Sequence, residues 1–421
     1  MQEINQIQKA ILVSINTGHE YEDRVSLDEL RELASTAGAE VIQEFSQARN
    51  KPDSTHYIGR GKAEELAIEV QESGADLVIV DTELSSTQLK NLDEAVNVRI
   101  IDRTQLILDI FAQRAQTREG KLQVELAQMN YMLPRLVGAN KALSRLGGGI
   151  GTRGPGESKL ETDRRRIRER IDDLKDELEE VRQHRQIQKQ SRKGLPYPSA
   201  ALVGYTSAGK STLLNLLSGS EIFTDRMLFA TLDPTTRKVE FPNGWAMLVT
   251  DTVGFIRNLP HNLVAAFRAT LEEVTDADFL IHVVDASSPD MESQIEAVHQ
   301  VLKELEADAK PTVYVFNKSD LLQDQYELRK RVAETPDSVY ISALTGDGIP
   351  QLITVISKVL KSLLIHMNLH IPYDRSDLVA QSYDNGRVIN IEYMPEYISV
   401  EACINAESSG KFKEFTVTDE S

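Results

Sequence analysis

Cysteine is almost missing from this 421-residue chain: Cys403 stands alone. That excludes an intramolecular disulfide and a cysteine-based zinc cluster, and it fits a reducing compartment. Cys403 lies in the alternating run ISVEACINAE and is expected in a strand. No stretch approaches the ~20 uninterrupted apolar residues of a membrane-spanning helix. The polar start MQEINQIQKA lacks the basic-then-apolar pattern of a secretory signal. A cytoplasmic protein without an integral membrane segment is therefore expected. Positive charge is in deficit, with 47 Lys and Arg against 65 Asp and Glu and a formal net charge of -18. This argues against a chain that coats nucleic acid over its whole surface, though not against a local basic patch. Internal repeats and low-complexity tails are absent too. What remains is 41% hydrophobic and 27% charged, the balance of a folded chain, and its length suggests two to four domains.

Residues 1–110 alternate Val- and Ile-rich runs (AILVSINTG, AEVIQEFSQ, ADLVIVD, VRIIDR) with helical segments. Such alternation predicts a small, mostly parallel sheet with covering helices. In SLDELRELASTAG, Ser26 followed by Glu29 three residues later suggests a capping box. HYIGRGKAEEL places Gly59, Gly61 and Lys62 before a helix but lacks the spacing and hydroxyl of a phosphate loop. Residues 111–194 suggest a helical linker, in which Ile167, Ile171, Leu174, Leu178 and Val181 form the stripe that an antiparallel hairpin needs. A basic glycine-rich loop at 146–158 interrupts it, where six glycines cannot hold a helix. From 195 to 364 the α/β alternation returns. Residues 365–421 suggest a small α+β appendage with two strand-like runs and a short helix.

The chemistry concentrates in the third region. ALVGYTSAGKSTLLNLL holds Gly204, four residues (Tyr205, Thr206, Ser207, Ala208), then Gly209, Lys210 and Ser211, between a strand run and a helix run. This is the phosphate-loop pattern: backbone N–H groups close on the phosphates, Lys210 reaches the β and γ oxygens, and the Ser211 hydroxyl ligates Mg²⁺. DTVG follows, with Asp251, Thr252, Val253 and Gly254; its carboxylate can hold the metal through water and its glycine N–H can meet the γ-phosphate. NKSD contributes Asn317, Lys318, Ser319 and Asp320, and a carboxylate there accepts two hydrogen bonds that guanine offers and adenine does not. SAL, with Ser342, Ala343 and Leu344, is placed to turn a backbone N–H toward the guanine O6. Between loop and DTVG, the segment Phe229, Ala230, Thr231, Leu232, Asp233 must supply a second hydroxyl to the metal. Thr231 is the first candidate, with Thr235 and Thr236 behind it. Asp285 is read as structural.

Position 255, where many such proteins carry a water-orienting glutamine, holds Phe255. A ring cannot polarise water, so the catalytic group is open. Lys210 and Gly254 stabilise the γ-phosphate, and Arg257 and His261 lie near in sequence. Phe255 and Leu259 are expected to offer apolar surface beside the γ-phosphate, with a slow intrinsic rate that a partner raises.

The set GYTSAGKS, FATLD, DTVGF, NKSD and SAL, joined to EGKLQVELAQMNYMLPRL and GGGIGTRGPGESKLETDRR, closely resembles the HflX family of GTPases over nearly the whole chain. The resemblance implies an N-terminal α/β domain, a helical linker, a P-loop GTPase domain and association with the large (50S) ribosomal subunit in splitting, rescue or biogenesis. It also implies Ser211 and Thr231 as Mg²⁺ ligands, and GTP and GDP as ligands of the motifs above. Many relatives carry asparagine where this chain has Ser207, a position tied to a monovalent cation, which leaves potassium stimulation open. Arg153, Lys159, Arg164, Arg165 and Arg166, with Arg168 and Arg170, form a local basic zone suited to RNA phosphate. A monomer is expected. Two other functions stay open: a regulatory switch that binds a non-ribosomal protein, and ATP-driven RNA remodelling.

Overall fold

Four strands, two long and two of four residues, build the first sheet. A computed structural model describes residues 7–138, 159–193, 197–219, 228–242, 244, 246–257, 268–384, 386–405 and 408–417. The chain divides into two compact units. The first comprises Met1–Glu180, Asp225–Asp233 and Arg257–Ala269, and the second Val181–Thr224, Pro234–Ile256 and Thr270–Ser421.

In the first unit, β1 (Gln8–Asn16), β2 (Ala39–Ala48), β3 (Leu77–Val80) and β4 (Arg99–Asp102) pair in the order β2-β1-β3-β4, all parallel. Every residue of β3 is buried, as a parallel strand covered on both faces requires. Helices α1 (Glu20–Thr36), α2 (Arg60–Ser73), α3 (Ser86–Val96) and α4 (Arg103–Arg114) accompany the strands. The capping box expected at Ser26 is not there. Helix α1 starts six residues earlier, with Glu20, Glu22 and Asp23 in its first turn, so Ser26 sits inside the helix and its hydroxyl donates to Asp81 at 2.7 Å. Glu29 instead joins Asp81 in holding the buried Arg103 guanidinium. The real capping box opens α3: Ser85 Oγ accepts from the Gln88 N–H while the Gln88 side chain accepts from the Ser85 N–H.

Two long helices, α5 (Arg118–Gly138) and α6 (Lys159–Lys193), follow. Arg118 pairs with Glu177 and Arg170 with Glu125, so sequence numbers rise on one helix as they fall on the other. The expected antiparallel hairpin is present, and Ile171, Leu174 and Leu178 are its buried stripe on α6. At its other end α5 is tied to the sheet: the Tyr131 hydroxyl donates to Asp102 at 2.7 Å, and Arg135 reaches the same fully buried carboxylate at 3.0 Å.

The second unit holds a six-stranded sheet, order β10-β9-β8-β5-β7-β6, from β5 (Ser199–Val203), β6 (Thr235–Glu240), β7 (Ala246–Asp251), β8 (Phe279–Asp285), β9 (Thr312–Asn317) and β10 (Ser338–Tyr340). Only β6 runs antiparallel to its neighbour. Helices α7 (Lys210–Ser218), α8 (Arg268–Asp276), α9 (Met291–Glu304), α10 (Tyr326–Glu334) and α11 (Ile349–Leu363) alternate with these strands. The tail differs from expectation in having three strands, β11 (Leu364–Pro372), β12 (Gly386–Tyr393) and β13 (Tyr397–Asn405), in the antiparallel order β11-β13-β12, with α12 (Asp377–Asp384). Strand β11 follows α11 without a loop. Its Met367, Leu369 and Ile371 alternate into the core, where Phe412 and Leu378 meet them. Cys403 lies in β13, as its alternating pattern predicts.

Candidate nucleotide site

The carboxyl ends of β5, β7 and β9 bring the phosphate loop, DTVG and NKSD together, the place where open α/β sheets bind ligands. The loop leaves β5 at Val203 and enters α7 at Lys210. Its two glycines are obligatory. Gly204 has φ 150° and a Cβ there would run into the Val283 carbonyl; Gly209 has φ 95° and a Cβ would meet the Asn317 amide. Ser207 is exposed in the left-handed region at φ 59°.

Lys210 folds back under the loop, and its Nζ donates to the carbonyls of Gly204 (3.0 Å) and Tyr205 (2.9 Å). Burial pushes its pKa down to about 8, with Asp251 pulling the other way. The Ser211 hydroxyl donates to Asp251 Oδ2 at 2.6 Å, which places two hard oxygens at the start of α7. Thr252 is structural: its hydroxyl donates to the Leu202 carbonyl at 2.6 Å.

Phe255 corrects the expectation attached to it. Its N–H donates to the Gly204 carbonyl (3.1 Å) and its carbonyl accepts from the Thr206 N–H (2.8 Å), a parallel bridge between DTVGF and the phosphate loop. The ring is 2% exposed. It anchors the sensor strand and offers no apolar surface. His261 and Leu259 lie outside the described residues, whereas Arg257 is half-buried.

Asn317 and Lys318 brace the neighbouring loops. Asn317 Nδ2 donates to the Ala208 carbonyl at 2.8 Å and its Oδ1 accepts from the Ala343 N–H at 2.9 Å, so one amide ties the phosphate loop to SAL. That Ala343 N–H is thus occupied by Asn317. Lys318, at φ 64°, donates from Nζ to Asp285 Oδ2 at 2.6 Å, which bears out the structural reading of Asp285. Ser319 is buried, Asp320 is exposed at the start of a short 3-10 turn, Ser342 is fully buried and Leu344 is 80% exposed. Neither the Asn317 bridge nor the Phe255 bridge has a local sequence signal, because both join residues far apart in the chain.

The segment Phe229–Asp233 belongs to the first unit. Phe229 is buried at φ 55° with its ring edge-to-face on Phe111, centroids 4.7 Å apart. Asp233 accepts from the N–H groups of Gln116 and Thr117, both at 2.9 Å, and from the Thr117 hydroxyl. Asp233 was expected among the nucleotide contacts; instead its carboxylate serves the positive amino end of α5, where an anion is stabilised. Ala230, Thr231 and Leu232 lie between these anchors. The Thr236 hydroxyl pairs with Thr250 at 2.9 Å inside the β6–β7 ladder, and Thr235 opens that strand opposite Asp251. Thr236 is therefore withdrawn as a metal ligand.

The basic zone resolves in part. Arg153 lies outside the described residues, as does the Lys159 side chain. Arg165 and Arg166 make exposed pairs within α6, with Glu169 at 3.7 Å and Asp163 at 3.9 Å, and exposed pairs of this kind are weak. Arg164 is half-buried. Arg170 is removed from the zone: its guanidinium forks onto both carboxylate oxygens of Glu125 at 2.8 and 3.0 Å and also reaches Glu177. Among the described residues no group of three or more His, Cys, Asp or Glu forms a metal cluster, and no helix is long and apolar enough to cross a membrane.

Comparison with known proteins agrees with this geometry. Family models match four consecutive stretches: "GTP-binding GTPase N-terminal" at 24–112, "GTP-binding GTPase Middle Region" at 114–192, "50S ribosome-binding GTPase" at 199–318 and "HflX C-terminal domain" at 327–409. The GTPase HflX of Caldanaerobacter subterraneus subsp. tengcongensis is 49% identical over 98% of this chain and 94% of its own length. That of Lacrimispora saccharolytica is 46% identical over 95% and 94%, and that of Escherichia coli K12 is 44% identical over 93% and 92%. The phosphate loop, DTVG and NKSD thus stand together in a chain similar from end to end to GTPases, and the chain belongs to the HflX family of GTPases.

Proposed function

We propose that this GTPase acts on the large ribosomal subunit in the cytoplasm, in the splitting, rescue or maturation of ribosomes, and that the subunit raises its rate of hydrolysis. The observation that carries the reading is the match of residues 199–318 to ribosome-binding GTPases over a complete phosphate loop. The exposed Arg165 and Arg166 heads add phosphate-binding chemistry to an otherwise acidic chain. The division of labour would follow the sequence blocks: 1–110 is the N-terminal α/β domain, the linker 111–194 meets the partner, 195–364 binds GTP, and 365–421 is an appendage.

Magnesium fits the donor set, since Ser211 Oγ lies 2.6 Å from Asp251 Oδ2 and both are hard oxygens. Ser211 and Thr231 would hold the ion with phosphate oxygens, and it would neutralise charge developing on the transferred phosphoryl. Lys210 would leave the loop carbonyls for the β and γ oxygens, the Gly254 N–H would detect the γ-phosphate, and Asp320 would select guanine. The test is GTP turnover with and without purified 50S subunits. The rate is expected to rise by about 10³-fold or more, the range by which partner-supplied groups accelerate such enzymes. Equal rates would refute the ribosomal reading and leave the hydrolase intact.

A further inference from the structure

Phe255 is buried and bound through its backbone to the phosphate loop, so its side chain does not serve the reacting end of GTP. Thr206 stands in that loop directly beside the sensor glycine. Its N–H is the donor to the Phe255 carbonyl at 2.8 Å. A Cβ built on Gly254 would lie 2.7 Å from Thr206 Cγ2 and 3.1 Å from Lys210 Nζ, so Thr206, the γ-phosphate sensor and the phosphate-binding ammonium meet around one point. Thr206 is 6% exposed, and its Oγ1 is buried without a hydrogen-bond partner among the described residues. A hydroxyl shut away from water with no partner carries a desolvation cost that folding alone does not explain. In a phosphate loop, a γ-phosphate oxygen and its attacking water are the partners whose arrival would remove that cost.

We propose that Thr206 is a catalytic residue of the GTPase reaction. Its O–H donates to a γ-phosphate oxygen, and an oxygen lone pair accepts from the attacking water, a pairing open to a hydroxyl because it is donor and acceptor at once. The water oxygen bonds to the γ-phosphorus as the bond from that phosphorus to the β–γ bridging oxygen breaks. The bond pair leaves on GDP, both water protons end on inorganic phosphate, and Thr206 is unchanged. Its work is orientation and hydrogen bonding, not proton abstraction, so it needs no shifted acidity.

The test compares Thr206→Val, which keeps shape and removes the hydroxyl, with Thr206→Ser, which keeps the hydroxyl. GTP turnover and GDP affinity are measured for both beside the parent protein. Thr206→Val should lose about 10²-fold in kcat, the order seen when one transition-state donor is removed. GDP affinity should hold, because GDP has no γ-phosphate, and that retention also shows that the loop is folded. Thr206→Ser should keep most of the rate. Unchanged kcat in Thr206→Val, or equal losses of kcat in the Val and Ser variants, would overturn the assignment, as would a loss of GDP affinity that accounts for the whole effect.

Discussion

Lys210 illustrates how one residue's environment sets a measurable property of the site. Buried under the loop, it has a pKa near 8 in place of its ordinary 10.5. Burial disfavours its charged form, so the fold carries this penalty below about pH 8 and is relieved of it as pH rises from there toward 10.5. Bound phosphates reverse the balance, because an ammonium against oxyanions holds its proton more firmly. Nucleotide therefore binds best where Lys210 is already protonated. GDP affinity is expected to be flat below about pH 8 and to fall by about 10-fold per pH unit above it, the slope that loss of one proton dictates. A fluorescent GDP titration between pH 7 and 9.5 checks this, and a flat profile across that range would contradict it. The glycines around Lys210 were legible from spacing alone, because their backbone conformations admit little else. Phe255 was legible only as a missing glutamine. Its burial and its bridge to Gly204 depend on a strand pairing that no short window encodes.

The elbow between α4 and α5 shows the same limit one level up. Asp233 was grouped with the nucleotide by its place in FATLD, yet three hydrogen bonds commit it to Gln116 and Thr117, more than a hundred residues away. Gly120 makes room for it: an added Cβ would run into Asp233 Oδ1, and the Gly120 N–H donates to Thr117 Oγ1 at 3.0 Å. Within a helix, alanine is favoured over glycine by ~1 kcal/mol. Displacing the carboxylate forfeits several hydrogen bonds worth ~1 kcal/mol each, so the loss should exceed the gain. Gly120→Ala is expected to lower the melting temperature and to speed amide exchange at Gln116 and Thr117; a more stable variant with unchanged exchange would show that the anchor is dispensable. Elements with strong periodicity were readable in advance: the four parallel strands, the antiparallel hairpin and the alternating tail. Ser26 misled because a capping box is only a local pattern, whereas α1 starts in the acidic turn at Glu20 and uses Ser26 and Glu29 to hold buried partners. Strand β11 was hidden because it continues an amphipathic helix without a break.

Across the whole molecule, the proposed ribosomal role raises the question of how a chain of net charge -18 would approach a polyanion. Long-range attraction is excluded, since the mean field repels RNA, so contact must rest on a few cations presented locally. The structure divides the arginines of α6 into two kinds. Arg170 is pinned between Glu125 and Glu177 and holds the hairpin together. Arg165 and Arg166 are more than half exposed and pair within α6 with the exposed Glu169 and Asp163, pairs that RNA phosphate can outcompete because its bidentate hydrogen bonds are stronger. Replacing Arg164, Arg165 and Arg166 together with alanine should weaken co-sedimentation with 50S subunits. It should also flatten the dependence of binding on salt, since each lost phosphate contact removes about one unit of slope. Intrinsic GTP turnover should not change, because these residues lie on α6 and not in the nucleotide motifs. Glu125→Gln serves as the contrasting variant: it loosens the grip on Arg170 without removing a cation, so it should lower stability while leaving the salt slope intact. If the triple variant binds 50S at physiological salt as the parent does, with the same slope, the contact surface is not α6, and the acidic field must be overcome elsewhere on the chain.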